Sequence, residues 1–159
     1  MEKAYVVGVD IGGQTTKIGI VDRRGTIVTQ TVIGSKYKAG EAGIFIQAVC
    51  DTIRELAKEV GFDQIQGIGI GAPNGNYYKG TIEDAANLEW AKGIVVELAK
   101  EVSLALDNLP VTVTNDANAA AVGEMTYGAA RGMKNFIMIT LGTGVGSGII
   151  INGELVYGH

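Results

Sequence analysis

One arrangement of residues occurs twice in this chain and restricts its fold more than any other feature. It is an apolar run, a glycine turn, a second run, a tight turn and a third run. In the first copy Tyr5 to Val9 is an apolar stretch of strand length and Asp10-Ile11-Gly12-Gly13-Gln14 is the glycine turn. Thr16 to Val21 then alternates as a strand should, Asp22-Arg23-Arg24-Gly25 turns the chain again, and Thr26 to Val32 forms the third run. Strands joined by turns this short pair antiparallel. In the second copy Phe136 to Leu141 runs into Gly142-Thr143-Gly144, Val145 to Ile151 follows, Asn152-Gly153 is a strong hairpin turn, and Glu154 to Tyr157 starts the last run. Repetition on this scale predicts a duplicated fold. The second copy reaches His159 before any helix that could cover its sheet, so the second unit is expected to be incomplete. The expected division is a first domain over residues 1–131 and the beginning of a second lobe over 132–159, in a piece of a longer protein.

Between the copies the period changes. Phe45, Val49, Ile53, Leu56 and Val60 fall at helical spacing, and Gly61 ends the helix. Ile65 to Ile70 is a buried strand leading to Gly71-Ala72-Pro73. Tyr77 to Ile82 reads as a small hairpin, and Val95, Leu98, Val102 and Leu106 mark a second helix. Pro110 to Thr114 is a short strand, followed from Asn115 by an alanine-rich helix. The two later strands are each reached by a helical crossover and are expected to be parallel. The fold class is α/β, with a mixed five-stranded sheet in the first domain.

Composition limits the partners. The 159 residues carry 13 basic and 17 acidic side chains, a formal charge of −4, and no basic run, which argues against nucleic acid and anionic membrane. The start, Met1-Glu2-Lys3-Ala4-Tyr5, runs into a strand pattern rather than a signal peptide, and no segment has the length and hydrophobicity of a membrane span. Cys50 is the only cysteine, so an internal disulfide is impossible and a reducing cytoplasm is the expected setting. The 24 glycines sit mostly where apolar runs stop, with only two prolines, which is turn chemistry rather than disorder. The apolar strands of the second copy have few neighbours within the chain. They are expected either to fold back onto the first domain or to pair with another copy, and a homo-oligomer is the expected state.

Three segments carry chemistry. In Asp10-Ile11-Gly12-Gly13-Gln14-Thr15-Thr16-Lys17 the glycines would let backbone N–H groups close on phosphate oxygens. Gln14, Thr15, Thr16 and Lys17 add side-chain donors, and Asp10 could orient Mg²⁺ through water, because magnesium keeps much of its hydration. A β-hairpin with a carboxylate-capped turn would read the same way. The second turn, Gly142-Thr143-Gly144-Val145-Gly146-Ser147-Gly148, is equally weak alone. Two such turns in a duplicated frame could clamp a triphosphate from both ends. Asn115-Asp116-Ala117-Asn118 lies at a strand-to-helix junction, where a helix cap is the plain explanation. A carboxylate there is also favoured in its charged form by the helix dipole and could serve as a base.

Together these segments resemble the front portion of the sugar kinases of the ROK family, within the actin-like, RNase H-like ATPase superfamily. Asp10-Ile11-Gly12-Gly13 is similar to that family's first phosphate motif, and Leu141-Gly142-Thr143-Gly144-Val145-Gly146 to its second. Gly71-Ala72-Pro73 and Ala86-Asn87-Leu88-Glu89-Trp90 resemble its sugar-side loops, and Asn115-Asp116-Ala117-Asn118-Ala119-Ala120 its catalytic motif. The resemblance implies an RNase H-like domain and ATP-dependent phosphorylation of a hexose, with glucose the commonest acceptor and ATP and Mg²⁺ as cofactors. It implies Asp116 as general base, sugar contacts from Asn87, Asn115 and Asp116, and phosphate contacts from Gly12, Gly13, Gln14, Gly142, Thr143 and Gly144. A structural zinc site and the adenine pocket of such kinases would lie beyond His159. Two departures stand out: Gln14 occupies a position where the family usually has Thr, and Asn74-Gly75-Asn76 replaces a Gly-Pro stretch that shapes the sugar pocket. A DNA-binding repressor of the same family would need a helix-turn-helix ahead of the first strand, where only four residues stand. A non-sugar ATPase of the superfamily would share the turns but not the Asn-Asp-x-Asn segment.

Overall fold

A computed structural model of the chain describes residues 3–142 and 144–157. The alternating front of the chain forms β1 (Tyr5–Ile11), β2 (Thr15–Asp22) and β3 (Ile27–Gly34), an antiparallel meander. Side chains alternate across a strand, so Val7, Val9 and Ile11 of β1 fall on one face with Thr16, Ile18 and Ile20 of β2, all buried. The helix α1 (Ala42–Ala57) covers that face with Phe45, Ile46, Val49, Cys50 and Ile53.

β4 (Ile65–Ala72) then pairs parallel with β1. After it, β5 (Gly75–Asn76), β6 (Thr81–Glu83) and β7 (Val95–Val96) make a small antiparallel sheet. The helix α2 (Leu98–Ala105) crosses back to β8 (Val111–Asn115), which is parallel to β4. The main sheet has the order β3-β2-β1-β4-β8, mixed and five-stranded as the turn lengths and crossovers predict. Two local expectations are corrected. Tyr77 to Gly80 is the turn of the small hairpin rather than part of its strands, which pair Gly75 with Ile82 and Asn76 with Thr81. Val95 belongs not to the second helix but to β7, because Val96 pairs with Ile82 and helical structure begins only at Leu98.

The second face of the main sheet carries Gly8, Asp10, Lys17, Gly19, Gly69 and Gly71. The helix α3 (Asp116–Tyr127) lies on it over β4 and β8. On its far side α3 receives a second sheet made of β9 (Phe136–Leu141), β10 (Val145–Ile151) and β11 (Glu154–Leu155), ordered β11-β10-β9. The turn at Asn152-Gly153 has positive φ at both residues, 55° and 82°, which is the hairpin geometry the pair favours. Of the two fates expected for this hairpin, folding back is the one observed. Gly146, Gly148 and Ile150 face α3, and Ile150 is buried.

The contact admits nothing larger than glycine. A Cβ placed on Gly148 would lie 2.5 Å from the Cβ of Ala121 and 2.8 Å from the carbonyl oxygen of Ala117. Gly148→Ala is therefore expected to destabilise the chain by about 1–3 kcal/mol, the usual cost of overpacking. Urea denaturation measures the loss, and faster amide exchange confined to β9 and β10 would place it at this contact.

Candidate active site

β8 hands directly into α3, and the junction is built by the side chains on either side of it. Asn115 caps the helix, its Oδ1 accepting the Ala117 N–H at 3.0 Å. Asp116 also accepts that N–H, at 2.8 Å, through Oδ1. Its carboxylate is solvent-exposed and lies at the first turn of α3, between the two sheets that the helix separates.

A cleft of about 470 Å³ opens at this point. Gly12, Gly13 and Gln14 of the first glycine turn form one wall, and Gly142, Gly144 and Gly146 of the second form another. Asn87, Asn115 and Asp116 line the same space. Two turns more than a hundred positions apart in the chain thus meet beside the one carboxylate expected to act as a base. The first turn also touches the loop that carries Asn87. A Cβ on Gly13 would come within 3.1 Å of the Asn87 carbonyl oxygen, so the turn packs closely on the loop.

Other members of the expected set lie elsewhere. Asp10 and Lys17, paired across β1 and β2, face a neighbouring groove of about 560 Å³ on the second face of the main sheet. Asp116 lines that groove as well as the cleft, so the two aspartates look into one space. The Thr16 side chain is fully buried and hydrogen-bonded to the Ser35 hydroxyl at 2.7 Å, so its hydroxyl is turned away from the cleft. Thr15 is exposed but lines neither space. Thr143 lies outside the described residues, as does His159. Among the described residues no group of three or more His, Cys, Asp or Glu is arranged to hold a metal ion, and no helix is long and apolar enough to cross a membrane.

The loop that carries Asn87 is held by its tryptophan. Trp90 is fully buried and stacks on Phe45 of α1, with ring centroids 4.4 Å apart. Of the two roles open to it, stacking on a sugar or plugging the loop, it has the second. Residues that sequence reasoning passed over include Asn74, which reaches the cleft from the departing Asn74-Gly75-Asn76 stretch, and Tyr157, which joins Tyr77 and Tyr78. The unusual stretch was itself the signal for Asn74. For Tyr157 no local signal exists.

A mixed sheet with helices on both faces, a second glycine hairpin beyond a central helix and a cleft between the two turns define a domain of the actin-like, RNase H-like ATPase class. The chain belongs to the ROK family, whose model matches residues 6–159. It is 37% identical to a glucokinase of Halalkalibacterium halodurans over 99% of its own length and 47% of that protein. Its structure is similar to that of a ROK family glucokinase from Streptomyces griseus in complex with glucose and AMPPNP, with a TM-score of 0.82, 36% identity, and coverage of 98% of this chain and 47% of that one. A ROK family transcriptional regulator shares the fold at a TM-score of 0.79 and 21% identity over 96% of this chain and 38% of that one. The chain spans about half the length of the curated glucokinases it matches.

Because Trp90 anchors the loop of Asn87, Trp90→Ala is expected to cost about 3–5 kcal/mol of stability, typical of deleting a buried aromatic. Trp90→Phe should recover most of it. Thermal unfolding of the two variants checks the order.

Proposed function

We propose that this chain supplies the sugar- and phosphate-binding part of an ATP-dependent hexose kinase, with glucose as the acceptor and its 6-hydroxyl as the attacking group. The observation that carries this is the single cleft joining both glycine turns to Asn87, Asn115 and Asp116. In the proposed arrangement the N–H groups of Gly13 and Gly144 hold phosphate oxygens, joined by the Gln14 amide, while the N–H groups of Gly12 and Gly142 donate to the carbonyls of Thr15 and Gly144 and shape the two turns. Asn87, Asn115 and Asp116 hold sugar hydroxyls. Phosphoryl transfer needs positioning, charge neutralisation and a base near the attacking hydroxyl. Asp116 takes the hydroxyl proton as the sugar oxygen bonds to the γ-phosphorus and the bond to the β,γ-bridging oxygen breaks, which leaves ADP and a protonated Asp116.

Asp10, in the groove next to the cleft, would orient a magnesium ion through water. When bound, that ion would neutralise charge on the transferred group. Lys17, across the β1–β2 pair from Asp10, adds positive charge on the same side. Within this proposal residues 1–131 form one lobe and 132–159 begin the other. A cytoplasmic setting suits Cys50, which is buried in α1 and whose thiol burial pushes up to about 11, so it is poorly reactive. The outer face of the β9–β10 hairpin leaves Ile137, Leu141 and Val145 64%, 81% and 78% exposed, a face that the rest of the second lobe would cover in a protein of the relatives' length, and the homo-oligomeric form is proposed without support from it.

In an active kinase carrying this chain, Asp116→Asn is expected to leave sugar and ATP affinity within several-fold while lowering kcat by roughly 10²–10⁴, the worth of a positioned general base. A kcat near that of the unsubstituted enzyme would remove Asp116 from this role. The 159 residues by themselves are expected to show no sugar-dependent ADP release. Measurable release that Asp116→Ala abolishes would mean that the relatives' additional length is not needed for turnover.

A further inference from the structure

Beside the cleft, and sharing Asn74 and Asn115 with it, lies a second pocket of about 480 Å³. Its distinctive wall is aromatic. Tyr77 stacks on Tyr157 with centroids 4.5 Å apart and planes 21° from parallel, and Tyr78 meets each of them edge-on at 5.6 Å. None of the three belongs to the hydrophobic core. Tyr78 is 75% exposed and Tyr77 43%.

The turn that carries the tyrosines is firmly built. The Asn76 Oδ1 accepts the N–H groups of Tyr78 and Lys79 at 3.1 and 3.2 Å. The Asn74 amide donates to the carbonyls of Glu83 and Asp84 at 3.1 and 2.9 Å. Lys79 and Thr81 both donate to Glu83 Oε1, which holds that carboxyl below the usual carboxylate range. Aromatic rings on a braced turn, turned partly to water and backed by amides, have the make-up of a binding surface rather than of a core.

We propose that this aromatic shelf is a second-ring subsite, which takes the outer ring of a disaccharide or ring-bearing glycoside whose first ring occupies the cleft. A pyranose ring presents an apolar C–H face that packs on a flat aromatic ring, and a rim of hydroxyls that both donate and accept. The Asn118 amide, which lines the pocket with the tyrosines, can do both in return, while Asn76 is committed to bracing the turn. Position separates an acceptor ring from a nucleotide base. The pocket shares Asn74 and Asn115 with the cleft, and no residue of either glycine turn lines it. The subsite rests on the sugar-kinase function proposed above.

The test is a set of titrations of a protein of the relatives' full length that carries this chain, with labelled tyrosine rings and backbone amides followed by NMR. Glucose, cellobiose, maltose and AMPPNP are added separately. At least one disaccharide is expected to shift Asn115, Asp116, Tyr77 and Tyr78 together and to bind about tenfold more tightly than glucose, the scale of one good aromatic contact. Tyr78→Ala and Tyr77→Ala should each lose most of that advantage while leaving glucose binding within twofold, and Tyr77→Phe should keep it. Glucose binding at Asn115 and Asp116, with disaccharides no tighter and no tyrosine shifted, overturns the subsite and leaves the kinase proposal standing. No sugar shifting Asn115 or Asp116 overturns both. AMPPNP shifting the tyrosines assigns the shelf to the nucleotide and overturns the subsite alone.

Discussion

The structure turns on the close fit of α3 against the glycines of β10. On the main-sheet side the helix makes ordinary contact, with a Cβ at Gly71 lying 3.4 Å from both the Cβ of Ala119 and the Cα of Asp116. On the other, Gly146 and Gly148 leave only the room that Ala117 and Ala121 fill. A helix with larger residues at those positions would stand away from both sheets, and close packing gives way only at a cost. The alanine-rich sequence of α3 is thus a spacing requirement more than a matter of helix propensity. It sets how near the second glycine hairpin comes to the first, and so whether a cleft exists at all.

That spacing also decides what Asp116 can reach. As the first residue of a helix packed tightly against β10, it looks into the cleft between the glycine turns and into the groove that holds Asp10 and Lys17. The Asn87 wall is fixed independently, by Trp90 stacked on Phe45 and by the Gly13 contact. The β9–β10 hairpin, in contrast, is held mainly through α3. Its inner face has Ile150 buried, while Ile137, Ile139 and Ile151 on the outer face stay more than half exposed.

Much of the fold could be read in the sequence because its signals are local. Strand alternation, short turns and helical crossovers predict a mixed five-stranded sheet with β1 to β3 antiparallel and β4 and β8 parallel, and the structure adds the order β3-β2-β1-β4-β8. The same alternation contained information that was easy to pass over. With Ile18 and Ile20 facing the core, Thr16 must face it too, and its hydroxyl goes to Ser35 rather than to a phosphate. Likewise Asp10 and Lys17 must share the opposite face, which places them in the groove. Val95 fell at helical spacing by coincidence, because a stripe of four residues cannot tell a helix from a strand end. The junction of Tyr157 with Tyr77 and Tyr78 had no local pattern, since it depends on how the hairpin seats on α3.

The central claim is that α3 presents Asp116 to a sugar hydroxyl inside the cleft between the two glycine turns. A crystal structure with glucose and AMPPNP bound to a protein carrying this chain tests it most directly. The account predicts a hexose touching Asn87 and Asn115, with one hydroxyl oxygen about 2.6–3.2 Å from an Asp116 carboxylate oxygen, the reach of a general base. A hexose seated away from α3, with Asp116 touching none of its hydroxyls, would contradict it.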